Sequence, residues 1–199
     1  MNYEDARPLM LPGDIIAFGG RGWVSNIIKI FTRSQVSHVG TVLQVNVTGD
    51  DRYFNNLIES TSLNGFNGVS TSRLSTRVET YKGNIWWLPL SDEVREKFNE
   101  KAFFDFLFAQ EGLPYDIKQV LGLAFPWLLG HNQEDYQKLF CSELIAGGYE
   151  SGGLISTNCS EATPIDVVRW NLYKQCHQLK GKPKRIKGFN TEQVLKQAH

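Results

Sequence analysis

The sequence predicts an α+β domain in which helices pack on one face of a small antiparallel sheet. Two observations carry this expectation. Strand-like segments crowd the first half of the chain, while helix signals dominate after Ser91. The 199 residues, 41% hydrophobic and 21% charged, have the composition of an ordinary globular protein and suffice for one well-buried core. With no repeat and no low-complexity tract, residues 1–199 read as a single domain. Its core spans about 11–175, and a basic C-terminal tail covers about 178–199.

The first strand is "DIIAF", Asp14 to Phe18, set off by Pro12-Gly13 in front and Gly19-Gly20 behind. Val24 to Phe31 reads as helical or turn-like. "HVGTVLQV", His38 to Val45, is rich in β-branched residues, and "NLIEST", Asn56 to Thr61, follows the turn-forming "TGDD". "NIWWLPL" adds another strand. Ser91 then opens an acid-led helix with Val94, Phe98, Ala102 and Leu107 near one face, running to Gly112 before Pro114. Asp116 to Leu129 forms the next helix, bent or stopped near Pro126, and Cys141 to Tyr149 a shorter one closed by Gly147-Gly148. Thr163, Pro164 and Asp166 supply a cap, a proline at the first helical position and an acid in the first turn of a last helix. The stretch from Lys180 to Lys187, with five basic residues, reads as a solvated terminal segment, with a contact to an anionic surface as the alternative.

Acidic and basic residues number 21 each, so no global field draws the protein toward nucleic acid or anionic lipid. No nucleic-acid partner is expected. The N-terminal "MNYEDARPLM" lacks the apolar run of a secretory signal, and no segment reaches the length of a membrane span. The expected location is the cytoplasm, or a destination reached without a signal peptide, as for a virion-associated protein. Three cysteines at irregular spacing, Cys141, Cys159 and Cys176, argue against a disulfide framework. Cys159, Cys176 and His177 lack the spacing of a zinc site, so no metal is expected.

Cys141 begins "CSEL", which reads as a helix N-terminus where unpaired N–H groups favour a thiolate and offer donors to an oxyanion. For this residue alone, a buried structural cysteine and an activated nucleophile are both open. His38 adds a candidate base at the start of a strand. Gly40 lies on the same strand face, and its missing side chain leaves room for a helix to approach the imidazole. If the hairpin turn is centred between Thr48 and Gly49, Glu59 falls directly opposite His38, placing a carboxylate where it orients the ring. A solvated strand glutamate is the alternative for Glu59.

Together "LPGDIIAF", "SHVGTVLQV", "LIEST" and "LFCSELIAGGYE" resemble the circularly permuted papain-like amidases of the YiiX/YaeF type, relatives of NlpC-type cell-wall peptidases. In the unpermuted enzymes the Cys helix precedes the "PGD" and "HVG" strands; here it follows them. The resemblance covers roughly residues 11 to 170. It implies a permuted papain-like fold with Cys141 as nucleophile, His38 as general base and Glu59 orienting His38. Ser142 and Tyr115, the latter in "LPYD", become substrate-site residues, with a packing tyrosine as the other reading of Tyr115. Asp14 matches the acid of "PGD" and reads as a turn or backbone-bonding residue. The implied activity is a cysteine-dependent hydrolase acting on an amide, ester or thioester of a peptide or lipid-type acyl substrate, with no cofactor. An acyltransferase, or a catalytically silent binding or structural module, is the alternative.

Overall fold

Along the chain, α1 (Tyr3–Ala6) and a 3-10 turn (Arg7–Leu9) lead into β1 (Ile15–Gly20), β2 (His38–Asn46), β3 (Tyr53–Leu63) and β4 (Phe66–Arg73). Then come α2 (Leu74–Thr80), β5 (Gly83–Leu88), α3 (Asp92–Lys97), α4 (Glu100–Gln110), α5 (Gln137–Ser151), α6 (Pro164–Arg169) and β6 (His177–Lys180). This computed structural model describes residues 1–20, 35–46, 53–63, 66–112, 137–156 and 162–194. The expected segments at Val24 to Phe31 and Asp116 to Leu129 lie outside those residues.

The six strands form one antiparallel sheet in the order β4-β3-β2-β1-β5-β6. Every residue of β1 is buried, as a central strand covered on both faces must be. Strand alternation puts Ile15, Ala17, Val39, Ile58, Trp86 and Leu88 on the first face; Ile16, Phe18, Val42, Leu57, Ile85 and Trp87 occupy the second. Residues of α3, α4, α5 and α6 pack on the first face, in agreement with the expected α+β layering. The second face is covered too, by Tyr3 and Ala6 of α1, by Met10 just after the 3-10 turn and by Leu74 of α2.

Several boundaries differ from expectation. The helix opened by Ser91 breaks at Phe98 because Asn99 caps a new one, its side chain accepting from Ala102 N at 3.0 Å. Gly147-Gly148 does not stop α5. A Cβ at Gly147 would lie 2.5 Å from the Phe106 ring, and one at Gly148 would lie 2.8 Å from the Phe103 ring. The two glycines are therefore the groove into which α4 packs, and tertiary contact overrides their poor helix propensity. The chain instead turns at Gly153, with φ +80°.

The basic segment is exposed over residues 181–185 and at Lys187, as a solvated segment should be, but its backbone is tethered. Lys180 closes the edge strand β6, and beyond it Lys184 N donates to Gln178 Oε1 (2.8 Å), Trp86 Nε1 to the Lys184 carbonyl (3.0 Å) and Lys187 N to Gln35 Oε1 (3.0 Å). Asp14 does what was expected of the "PGD" acid. Its wholly buried carboxylate accepts from Leu11 N (3.0 Å), Leu90 N (3.0 Å) and Trp87 Nε1 (2.8 Å), and pairs with Arg95. The start of β1 is thereby fastened to β5 and α3. Among the described residues, no helix is long and apolar enough to cross a membrane.

Candidate active site

His38, the first residue of β2, connects the other two predicted site residues. Its Nε2 lies 2.7 Å from Glu59 Oε2, and its ring also hydrogen-bonds the Cys141 side chain. With Nε2 engaged by the carboxylate, Nδ1 is the nitrogen left for the sulfur. Cys141 and Glu59 have no exposed surface and His38 is 7% exposed, so the row sits in a low-dielectric setting where each charge is felt strongly.

The register that produces this contact is not the one expected. Thr41 pairs with Ile58 and Asn46 with Tyr53, and continuing the ladder one step puts Glu59 across from Gly40. The pairs sum to 99 rather than 97, so the register is centred one residue later than expected, between Gly49 and Asp50. A shift of two residues preserves strand parity, so Glu59 keeps the face of His38 and reaches it diagonally. This also corrects the reading of Gly40. A Cβ there would lie 2.9 Å from a Leu57 methyl, 3.0 Å from the Ile58 carbonyl and 3.1 Å from the Glu59 Cβ, so the space is taken by β3 and not by a helix.

Two expectations for Cys141 need similar correction. It is the fifth residue of α5, not the first, because Gln137 to Phe140 continue the helix upstream. An α-helical fifth residue directs its N–H to the carbonyl four back, so the argument from unpaired N–H groups does not apply to it. Nor does α5 pack on the face that bears His38. Cys141, Leu144 and Ile145 belong to the first-face core, whereas His38 pairs with Phe18, a second-face residue. Sulfur and ring meet where β2 begins, since a side chain at a strand end is reachable from either face.

Behind Glu59 stands Arg77 of α2, which sequence reasoning missed. Its Nη2 donates to Glu59 Oε2 at 2.9 Å, and its Nε lies 2.6 Å from Oε1, off the hydrogen-bond line. Burial works against the Glu59 anion, but the His38 and Arg77 contacts outweigh it and lower its pKa. Burial likewise pushes His38 down, yet the charge and hydrogen bond of Cys141, followed by those of Glu59, raise it to about 9. The Tyr81 hydroxyl, bonded to Ser37, is pushed up to about 12 chiefly by burial and stays protonated at neutral pH.

Ser142, expected to touch substrate, is wholly buried, and its hydroxyl donates to the Ala162 carbonyl at 2.6 Å. That bond ties α5 to the segment leading into α6. Tyr115 and Cys159 lie outside the described residues. Cys176 is half-buried, its thiol pushed up to about 12 by burial, and His177 stacks on Trp87 with centroids 5.0 Å apart. Among the described residues, no group of three or more His, Cys, Asp or Glu is placed to hold a metal ion.

No protein-family model matches the chain, and no curated protein matches it in sequence. Among solved structures, the chain is similar to the crystal structure of metalloprotein yiiX from Escherichia coli O157:H7, DUF1105. The identity is 22% and the TM-score 0.47, over 72% of this chain. The match spans 66% of the yiiX chain, just under two thirds of its length.

Proposed function

We propose that the chain is a cysteine-dependent hydrolase that cleaves an amide, ester or thioester through a thioacyl intermediate, with Cys141, His38 and Glu59 as its triad. One observation carries the reading: a single buried imidazole bridges a thiol and a carboxylate. Cys141 Sγ attacks the substrate carbonyl carbon, and its proton resides on His38 as the S–C bond forms. Collapse of the tetrahedral adduct breaks the bond to the leaving group, which takes that proton. A water molecule then attacks the thioacyl carbon, gives a proton to His38, and the S–C bond breaks to release the acid and restore the thiol. Glu59 orients the ring and stabilises its positive charge throughout. An acceptor other than water in the second half would make the same site an acyltransferase.

Labelling the full chain with thiol-directed probes carrying peptide-like or fatty-acyl groups tests this reading and separates the two substrate classes. One probe class is expected to label Cys141 in preference to Cys159 and Cys176. His38→Ala should remove nearly all labelling, and Glu59→Gln only part, because nucleophile and base both remain. Equal, near-wild-type labelling in both variants contradicts the triad. A second reading, a binding module on the same frame, is favoured by the complete burial of Cys141. Wild-type protein that no probe labels, while binding a peptide or acyl ligand unchanged, would support it.

A further inference from the structure

We propose that Arg77 is a positioning residue for this site: by gripping both oxygens of Glu59 it fixes the carboxylate that orients His38. The inference rests on the triad reading. Glu59 is wholly enclosed, and an anion there needs compensation from its immediate partners. His38 supplies one contact, at Oε2. Arg77 reaches both oxygens, so the carboxylate cannot rotate about its last bond without losing a guanidinium contact.

The guanidinium is itself held in place. Its central carbon lies 5.3 Å from the Phe18 ring centroid and 5.7 Å from that of Tyr81, and these two rings meet edge to face at 4.9 Å. The Phe18 centroid is in turn 5.4 Å from that of His38, so one aromatic wall aligns both cation and imidazole. The C-terminal end of α2 is anchored by Lys180, whose Nζ donates to the carbonyls of Val78 (2.6 Å) and Glu79 (2.8 Å). A planar fork resting against a pair of aromatic rings is a role that lysine does not reproduce.

The ionisable groups around Glu59 come from three directions: His38 from β2, Arg77 and Tyr81 from α2 and its C-terminal flank, and Cys141 from α5. Arg77 balances the charge of Glu59. Removing the guanidinium leaves a net negative cluster that retains protons more strongly. The acid limb of the Cys141 reaction therefore moves to higher pH.

The test is the rate of Cys141 alkylation by iodoacetamide against pH, read by mass spectrometry in the whole 199-residue chain. Arg77→Met is expected to slow the neutral-pH reaction at least tenfold and move the acid limb up by about one pH unit. Arg77→Lys should slow it at least threefold. In a Glu59→Gln background, Arg77→Met should add no further slowing, because Arg77 acts through Glu59. Folded Arg77 variants with wild-type profiles, or equal slowing in both backgrounds, overturn the proposal. If Arg77→Met does not fold, a wild-type profile in Arg77→Lys is the overturning result. Failure of the triad reading looks different: His38→Ala would then leave the wild-type alkylation profile unchanged.

Discussion

Replacing Cys141 with alanine is expected to lower kcat/KM on a responsive substrate by at least about 10⁴-fold. Among the described residues, the other thiol, Cys176, does not take over. Cys176 is half-buried with its thiol pushed to about 12, and it belongs to a pocket lined by Trp86, Gln178 and Phe189, residues outside the Cys141 and His38 site. The loss reflects chemistry rather than unfolding, because removing one buried sulfur costs about 1 kcal/mol of stability. Circular dichroism and a denaturant titration on the same preparation separate the two effects. An alanine variant with wild-type turnover would remove Cys141 from the mechanism.

The largest loss of stability is expected at Asp14, far from any chemistry. Asp14→Ala deletes an acceptor that serves the backbone N–H groups of Leu11 and Leu90, the Trp87 indole and the Arg95 guanidinium. Those donors stay in place around an empty site, and each buried donor left without its acceptor costs about 1–3 kcal/mol, partly offset because burial already raises the Asp14 pKa against the pull of Arg95. A typical domain has only about 5–15 kcal/mol of stability. Urea unfolding should therefore show a midpoint far below that of the wild type, or a chain already partly unfolded without denaturant. A shift corresponding to under about 1 kcal/mol would mean that the carboxylate does not fasten the strand start.

What the sequence made legible was mostly local. The strands β1, β2, β3 and β5 are apolar or β-branched runs bounded by turn-forming residues, and physical chemistry reads these without neighbours. The Thr163 start is similarly local: Asp166 Oδ2 accepts from Thr163 N at 2.9 Å and from its hydroxyl at 2.5 Å. Strand β4, "FNGVSTSR", is polar and contains a glycine, and β6 has four residues with only Leu179 buried. Both are edge strands, whose identity depends on a partner rather than on their own composition. Gly147-Gly148 reads as a stop until the Phe103 and Phe106 rings are in place.

The site divides along the same line. The residue types of Cys141, His38 and Glu59, and the strand parity joining the last two, were readable from the chain. The two-residue shift in register was not, since it depends on where between β2 and β3 the hairpin is centred, and a one-residue move of that centre shifts every pair by two. Nor was Arg77, which meets Glu59 only because α2 crosses the second face of the sheet. Nothing in "LSTRVET" marks that arginine as different from one in water.

The most direct test of the central claim, that Cys141 and His38 form one coupled pair, is the NMR titration of the His38 ring in wild type and in Cys141→Ala. Burial alone depresses the imidazole, while the Cys141 charge and hydrogen bond are the largest contributions raising it. In wild type the ring should stay protonated through neutral pH and titrate at about 9. In the alanine variant the midpoint should move down, leaving Glu59 as the partner that still holds the proton. Identical midpoints in the two proteins would show that thiol and imidazole do not interact, and the proposed triad would lose its nucleophile.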